Sequence, residues 1–165
     1  MIKDMKKEEV IKDLELIPHI EGGYFKETVH GDIKYKDSDQ YLYSSIIFLL
    51  GKDDISHLHD LKEDELWYYQ GGDNCLIVDI DAHNGFKVNY VEIGLNNGNK
   101  LVQYLVKKGH IFGSRCKGEN FTLVGCMVSP SFKYEHFRLV KKEEVESNVS
   151  NEDFEKISDM FENNF

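Results

Sequence analysis

The chain has 165 residues, of which 41% are hydrophobic and 12% aromatic, and its formal net charge is −10. This length and composition predict one globular domain over residues 1–165 and exclude a disordered or fibrous chain. The acidic balance predicts no nucleic acid and no membrane surface as partner, because both are bound through basic faces. Since no apolar run reaches the roughly 18 residues of a membrane span and no secretory signal is evident, we expect a cytoplasmic location.

A helix is predicted at the N-terminus, followed by a long series of strands. Val10, Ile11 and Leu14 recur at helical spacing within Lys6–Leu16, and Pro18 ends this segment. Short apolar segments then alternate with turns such as GGDN, DAHNG and GLNNGN, a pattern typical of an antiparallel sandwich or barrel. The expected strands are Gly23–Val29, Tyr41–Leu50, Glu65–Gln70, Cys75–Asp81, Lys87–Ile93, Lys100–Val106, Ile111–Phe112, Phe121–Val128 and Phe137–Val140.

An amphipathic helix is predicted near the C-terminus, over about residues 150–163. Ser150 with Asp153 three residues later resembles a capping box. The apolar residues of the helix form one stripe: Phe154, Ile157, Met160 and Phe161. We expect this stripe to pack against the strands or against a partner subunit.

The segment Gly51–Gly72, GKDDISHLHDLKEDELWYYQGG, carries the strongest chemical signal. Because side chains alternate along a strand, His57 and His59 are expected to share one face. Asp64 and Glu65 follow within the same segment. Two imidazoles beside a carboxylate are typical of a metal site or of an acid–base site, and the residues alone leave both open.

Several blocks of the sequence resemble cupin family 5, a domain of unknown function within the cupin superfamily. PHIEGGYFKET (Pro18–Thr28) is similar to the family signature PHPEGGYFRET, and SHLHDLKEDELWYYQGG resembles its S-x-x-H…DE-x-W…G segment. SSIIFLL (Ser44–Leu50), Gln103 with VKKG, and LVGCMVSPSFKYEHFRL (Leu123–Leu139) resemble further family blocks in the same order. The resemblance covers roughly residues 8 to 140.

The resemblance implies an all-β fold, the double-stranded β-helix or cupin jelly-roll barrel, with an N-terminal and a C-terminal helix. The core would span about residues 18–140, and the protein would form a homodimer. The implied pocket lies inside the barrel mouth and takes a small-molecule ligand. Its expected residues are His59, Asp64, Glu65 and Gln103, with Glu21 and Tyr24 near the entrance.

One interpretation is a cupin enzyme that depends on a divalent metal, of the dioxygenase or isomerase type. His57, His59 and Asp64 would then hold Fe, Mn, Ni or Zn, because a catalytic metal needs about three protein ligands and an open position. Most metal-binding cupins supply another histidine from the second motif. Here Phe112 occupies that position, in KKGHIF.

A second interpretation requires no metal. His59 held by Asp64 or Glu65 would be a general base near neutral pH, and Tyr24 or Tyr68 would be the acid. Sugar-nucleotide 3,5-epimerases, which are related in fold, use such a pair for proton abstraction beside a carbonyl. On this interpretation the protein binds, and isomerises or epimerises, a small polar, carbohydrate-like metabolite.

A third interpretation is a non-catalytic module that binds a small ligand. An apolar pocket with a few polar groups would be lined by the aromatic side chains of Phe25, Trp67, Tyr68, Tyr69 and Phe112. The expected ligand-binding residues are Gln103, Glu21, Tyr68 and Phe112. His19 is expected to brace a turn, and Cys126 to be a small buried hydrophobic residue.

Overall fold

Eleven strands and three α-helices lie within residues 4–162, which are the residues that the computed structural model describes. The strands are β1 (Ile17–Pro18), β2 (Tyr24–His30), β3 (Ser44–Gly51), β4 (Ile55–Leu61), β5 (Asp64–Gly72), β6 (Cys75–Asp81), β7 (Lys87–Ile93), β8 (Gln103–Val106), β9 (Ile111–Cys116), β10 (Phe121–Ser129) and β11 (Phe137–Leu139). The helices are α1 (Lys7–Asp13), α2 (Lys142–Glu146) and α3 (Asn151–Ile157). None of the helices in this range is long and apolar enough to cross a membrane.

The strands form two sheets with jelly-roll connections. One sheet has six strands in the order β1-β2-β3-β10-β5-β8, and the other has five in the order β11-β4-β9-β6-β7. Neighbours such as β3 and β10, or β4 and β9, are antiparallel and far apart in the sequence. The expected all-β double-stranded β-helix with a helix at each end is confirmed.

The main hydrophobic core lies between the sheets. Phe48 of β3, Trp67 of β5, Ile77 of β6 and Phe112 of β9 are fully buried there. Strand alternation produces this arrangement, because every second side chain of each strand points to the same side.

The helices cover the outer faces of the sheets. Ile157 and Met160 of the C-terminal segment pack with Leu58 of β4, so the predicted apolar stripe does pack against the strands. The helix α3 is shorter than expected, because a 3₁₀ turn takes over at Ser158–Met160; position 163 of the expected helix lies outside the described residues. The backbone N–H of Asp153 donates to Ser150 Oγ at 3.1 Å, which is the predicted N-terminal cap.

A β-bulge in β4 determines which side chains of the histidine segment face the core. Ser56 pairs with Ser114 and His59 with Phe112, so β4 has one more residue than β9 between these pairs. Ser56 and His59 therefore face the same side, while Leu58 packs on the outer face. The expectation that His57 and His59 share one face is wrong, because the extra residue breaks the alternation.

Candidate active site

A cavity of about 180 Å³ opens between the sheets beside His59. Its polar lining comes from the Pro18–Thr28 segment and from β3, β4, β5 and β10: His19, Glu21, Ser44, His59, Glu65 and Cys126. Its apolar walls are Phe25, Ile46, Leu61, Val128, Phe132 and Phe137. Glu27 and Tyr134 complete the lining. The cavity thus has mainly apolar walls and a small set of ionisable groups, which is the usual composition of a small-ligand site.

Polar contacts at both ring nitrogens fix the orientation of His59. Nδ1 donates to the carbonyl oxygen of His57 at 2.7 Å, which leaves Nε2 as the acceptor in the neutral ring. Nε2 lies 3.1 Å from Glu21 Oε2, and Ser56 Oγ donates to Glu21 Oε1 at 3.1 Å. Glu21 and His59 can therefore hold one proton between a carboxyl oxygen and an imidazole nitrogen.

His19 is the second imidazole of the cavity. The backbone N–H of Glu21 donates to His19 Nδ1 at 3.1 Å, so the proton of the neutral ring is at Nε2. The ring packs edge-on against Phe25 and Phe48, with centroid distances of 4.5 and 5.9 Å. These contacts hold the imidazole as part of the cavity wall.

Burial shifts four ionisable groups of the cavity, Glu21, Glu65, His19 and His59, toward their neutral forms. It raises the pKa of Glu65 to about 8, and the nearby Glu21 carboxyl adds to this increase. Burial also raises the pKa of Glu21, against the opposing influence of His19 and of the Ser56 hydrogen bond. The same cause lowers the pKa of His59 to about 4 and lowers the pKa of His19.

Strand alternation decides that Glu65, and not Asp64, faces the cavity. Glu65 pairs with Val128 of β10, which also lines the cavity, and its carboxyl is hydrogen bonded to the Cys126 thiol. Asp64 is exposed, and its Oδ1 accepts a hydrogen bond from the backbone N–H of Lys108 at 2.8 Å. Asp64 therefore holds the β8–β9 turn and does not reach the ligand space.

Three of the residues predicted for the pocket come together at the cavity: Glu21, His59 and Glu65. Gln103 is exposed on the edge strand β8 and does not line the cavity. His57 does not line it either; its Nδ1 lies 2.9 Å from the carbonyl oxygen of Glu21.

The remaining predicted residues also lie outside the cavity lining. Tyr24 packs in the cluster beneath α1, with its ring 5.2 Å from Lys7 Nζ. Tyr68 lies between Trp67 and Tyr69 on β5, and by alternation it faces the side opposite to Trp67. Phe112 is fully buried behind His59, and the centroids of the two rings are 4.1 Å apart.

The residues do not fit the metal centre predicted from the sequence. His59 faces the cavity, His57 is bound to the Glu21 carbonyl, and Asp64 points outward, so the three do not form one ligand set. Among residues 4–162, no group of three His, Cys, Asp or Glu side chains is arranged to hold a metal ion.

Sequence reasoning did not assign His19 or Cys126 to the site. His19 lies within the PHIEGGYFKET signature next to Glu21, so the signature itself was the available signal. Cys126 has the same strand parity as Val124 and Val128, which only indicates a buried position. Its contact with Glu65 depends on the pairing of β10 with β5, which are distant in the sequence.

The fold and this buried site together define a cupin-type barrel with its pocket between the sheets. Residues 8–140 match the family described as Cupin superfamily (DUF985), and the chain belongs to that family. No curated protein matches the sequence.

Two similar structures cover nearly the whole chain. Protein SO0799 from Shewanella oneidensis is 33% identical, with a TM-score of 0.85 over 95% of this chain and 98% of its own. A hypothetical protein from Leishmania major is 30% identical, with a TM-score of 0.82 over 95% of this chain and 99% of its own. Oxalate decarboxylase from Bacillus subtilis shares only the fold, at 16% identity and a TM-score of 0.54 over 85% of this chain and 36% of its own.

Proposed function

We propose that the cavity binds a small polar, carbohydrate-like carbonyl compound and isomerises or epimerises it by proton transfer. The observation that carries this proposal is the pairing of His59 Nε2 with Glu21 Oε2 at 3.1 Å in the same cavity as the buried carboxyl of Glu65. A base and a separate acid, both shielded from water, are what proton abstraction beside a carbonyl requires.

The Glu21–His59 pair would act as the base. A proton leaves the carbon next to the substrate carbonyl and is held between Glu21 Oε2 and His59 Nε2, and the carbon's electron pair moves toward the carbonyl oxygen. The hydrogen bond from His59 Nδ1 to the His57 carbonyl keeps Nε2 directed at this position.

Glu65 would act as the acid. Because burial raises its pKa to about 8, the carboxyl carries a proton near neutral pH and can donate it to the oxygen that becomes negative. Return of the proton from the Glu21–His59 pair to the former carbonyl carbon gives an isomer, and the hydroxyl on the carbon that lost the proton becomes the new carbonyl and gives its proton to Glu65. An epimer forms when the enediol turns over in the cavity before the pair returns the proton to the original carbon, and the enediol hydroxyl then returns its proton to Glu65. The substrate keeps all its atoms, and both carboxyls return to their starting state.

The size of the cavity supports a small substrate. Its volume of about 180 Å³ is below the roughly 300–1,000 Å³ typical of clefts that hold drug-sized ligands. The aromatic walls at Phe25, Phe132 and Phe137 could contact the carbon-bound face of a sugar, while the ionisable groups contact its oxygens.

Deuterium exchange from heavy water tests this function. The substrates are free ketoses (dihydroxyacetone, D-fructose, D-xylulose) and their monophosphates, and NMR follows loss of the proton next to the carbonyl. We expect His59→Asn to lower the exchange rate roughly 100-fold or more, since a positioned base contributes about that factor.

The matched control is His110→Asn. His110 is also a largely buried histidine bonded to a carboxylate, with Nδ1 2.7 Å from Asp79 Oδ1, but it lies outside the cavity lining. Equal exchange by wild type and His59→Asn would refute the acid–base function and leave the cavity as a binding site only.

A further inference from the structure

The lining of the cavity is uneven in charge. Glu21, Glu27 and Glu65 supply three carboxyls, and none of the described residues that line the cavity is a lysine or an arginine. The nearby Lys133 is bonded to Asp39 at 2.6 Å, and Lys26 is bonded to Glu15 at 2.5 Å. A ligand inside the cavity therefore meets no cationic partner.

The cavity is nevertheless rich in neutral hydrogen-bond donors. Ser44 Oγ accepts from the backbone N–H of Phe132 at 2.9 Å, so its own O–H is directed elsewhere. His19 carries its ring proton at Nε2 because Nδ1 accepts from Glu21. Tyr134 adds a phenolic O–H, and its side chain is mostly exposed. These groups suit carbonyl and hydroxyl oxygens, which need donors but no compensating charge.

We infer that the natural ligand is uncharged: a free, unphosphorylated sugar or a similar polyhydroxy carbonyl compound, to the exclusion of sugar phosphates, sugar nucleotides and sugar acids. This inference rests on the proposed function for the carbonyl group. The choice of an uncharged ligand rests on the donors and on the absence of cations in the described lining.

An anion would be strongly disfavoured in this cavity. Transfer of a phosphate or carboxylate from water into a largely apolar cavity is strongly unfavourable unless a counter-charge or several charge-assisted hydrogen bonds replace the lost hydration. Here the neighbours are carboxyls, which repel an anion when they are ionised. Neutral ligands avoid both costs.

An organic cation is the other alternative, since aromatic rings and carboxyls can bind one. Two of the three carboxyls, however, are engaged within the protein: Glu21 is bonded to Ser56 and faces His59, and Glu65 is bonded to the Cys126 thiol. Burial raises the pKa of Glu65 to about 8, so a cation would first have to drive the ionisation of that carboxyl.

Cys126 provides a probe of charge selectivity that requires no knowledge of the substrate. Its thiol lines the cavity, whereas Cys75 and Cys116 do not. The reagents are bromoacetamide (uncharged), bromoacetate (anionic) and 2-bromoethylamine (cationic). In each reaction the thiol releases its proton to the buffer, sulfur bonds to the CH₂ carbon and bromide leaves.

Labelling rates at Cys126 are measured near pH 7 by peptide mass spectrometry and divided by the rates for free cysteine. We expect bromoacetamide to be favoured over bromoacetate about tenfold and also over 2-bromoethylamine, because the uncharged reagent alone enters without desolvating a charge. An equal or faster normalised rate for either charged reagent would overturn the inference. Ile46→Lys, which adds a cation to the lining, should abolish the discrimination against bromoacetate, and Ile46→Met should retain it.

Binding of matched sugars gives the second measurement. D-Fructose, D-fructose 6-phosphate and D-glucosamine are compared by saturation-transfer NMR, and we expect the strongest signal for D-fructose. If the neutral sugar is preferred but no deuterium exchange occurs, the inference stands and the proposed function fails. If exchange occurs only with phosphorylated ketoses, the function stands and the inference fails.

Discussion

Glu65→Gln should make the protein more stable at alkaline pH. Burial raises the pKa of Glu65 from an ordinary 4.5 to about 8, so the folded protein holds this proton more tightly than the unfolded chain does. Between these two pH values the folded state binds more protons than the unfolded state, and the free energy of unfolding must therefore fall as the pH rises.

The magnitude follows from the size of the shift. Each pKa unit corresponds to about 1.4 kcal/mol, so the wild type should lose about 5 kcal/mol of stability between low pH and pH values above the shifted pKa. Glutamine at this position has nearly the same shape, can accept the Cys126 hydrogen bond and does not titrate. The variant should match the wild type near pH 4.5 and exceed it progressively as the pH approaches 8.

The assay is urea denaturation of both proteins from about pH 5 to pH 9. Taking the difference between variant and wild type at each pH removes the titration of all other groups. The matched control is Glu92→Gln, a partly buried carboxyl bonded to the Asn74 amide at 2.6 Å outside the cavity. A difference that stays constant over this pH range would show that Glu65 is not held protonated, and it would remove the acid from the proposed mechanism.

Three further changes test how the fold supports the site. Glu63→Gln should lower the free energy of unfolding by about 1–3 kcal/mol and speed hydrogen exchange near His136, because it weakens the hydrogen bond between the buried Glu63 side chain and the His136 imidazole; urea titration and exchange mass spectrometry measure both. Ile157→Ala should lower the free energy of unfolding by about 2–5 kcal/mol in the same urea titration, since the Ile157 side chain is fully buried against the five-stranded sheet. Gly22→Ala should lower the free energy of unfolding by more than the roughly 1–3 kcal/mol that backbone strain at a positive φ costs a non-glycine residue. At φ +105° the new Cβ would also lie 2.0 Å from the carbonyl oxygen of Ile55, and thermal melting measures the loss.

Nine of the eleven strands and the end helices were predictable because they depend on local patterns, whereas β1 and β4 are missing from the predicted strands. Apolar periodicity and turn residues are signals that depend only on residues close together in the sequence, and Ser150 with Asp153 likewise indicated the cap of α3. Strand ends were less accurate: β9 runs on to Cys116, whereas the sequence predicted only Ile111–Phe112. The additional residues include Gly113 and Ser114, and glycine and serine are residue types that are common in turns.

The site was only partly predictable because its members are set by non-local pairing. Glu21 could be placed near the pocket through the signature, but its contact with His59 depends on the bulge in β4, and nothing in the local sequence SHLHD indicates an extra residue. Asp64 and Glu65 are adjacent, so a shift of one residue exchanges their faces. Only the pairing of Glu65 with Val128 decides which of them points inward.

Phe112 bears both on the missing metal ligand and on the neutral form of His59. The resemblance marks its position as one where most metal-binding cupins carry a histidine, and here the phenyl ring lies 4.1 Å from the ring of His59. A phenyl ring offers no ligand atom, and it also excludes water from one side of the imidazole. Burial is the largest cause of the low pKa of His59, so the residue that removes a ligand also favours the unprotonated base. The departure from the metal-binding pattern and the proposed acid–base chemistry can therefore follow from the same side chain.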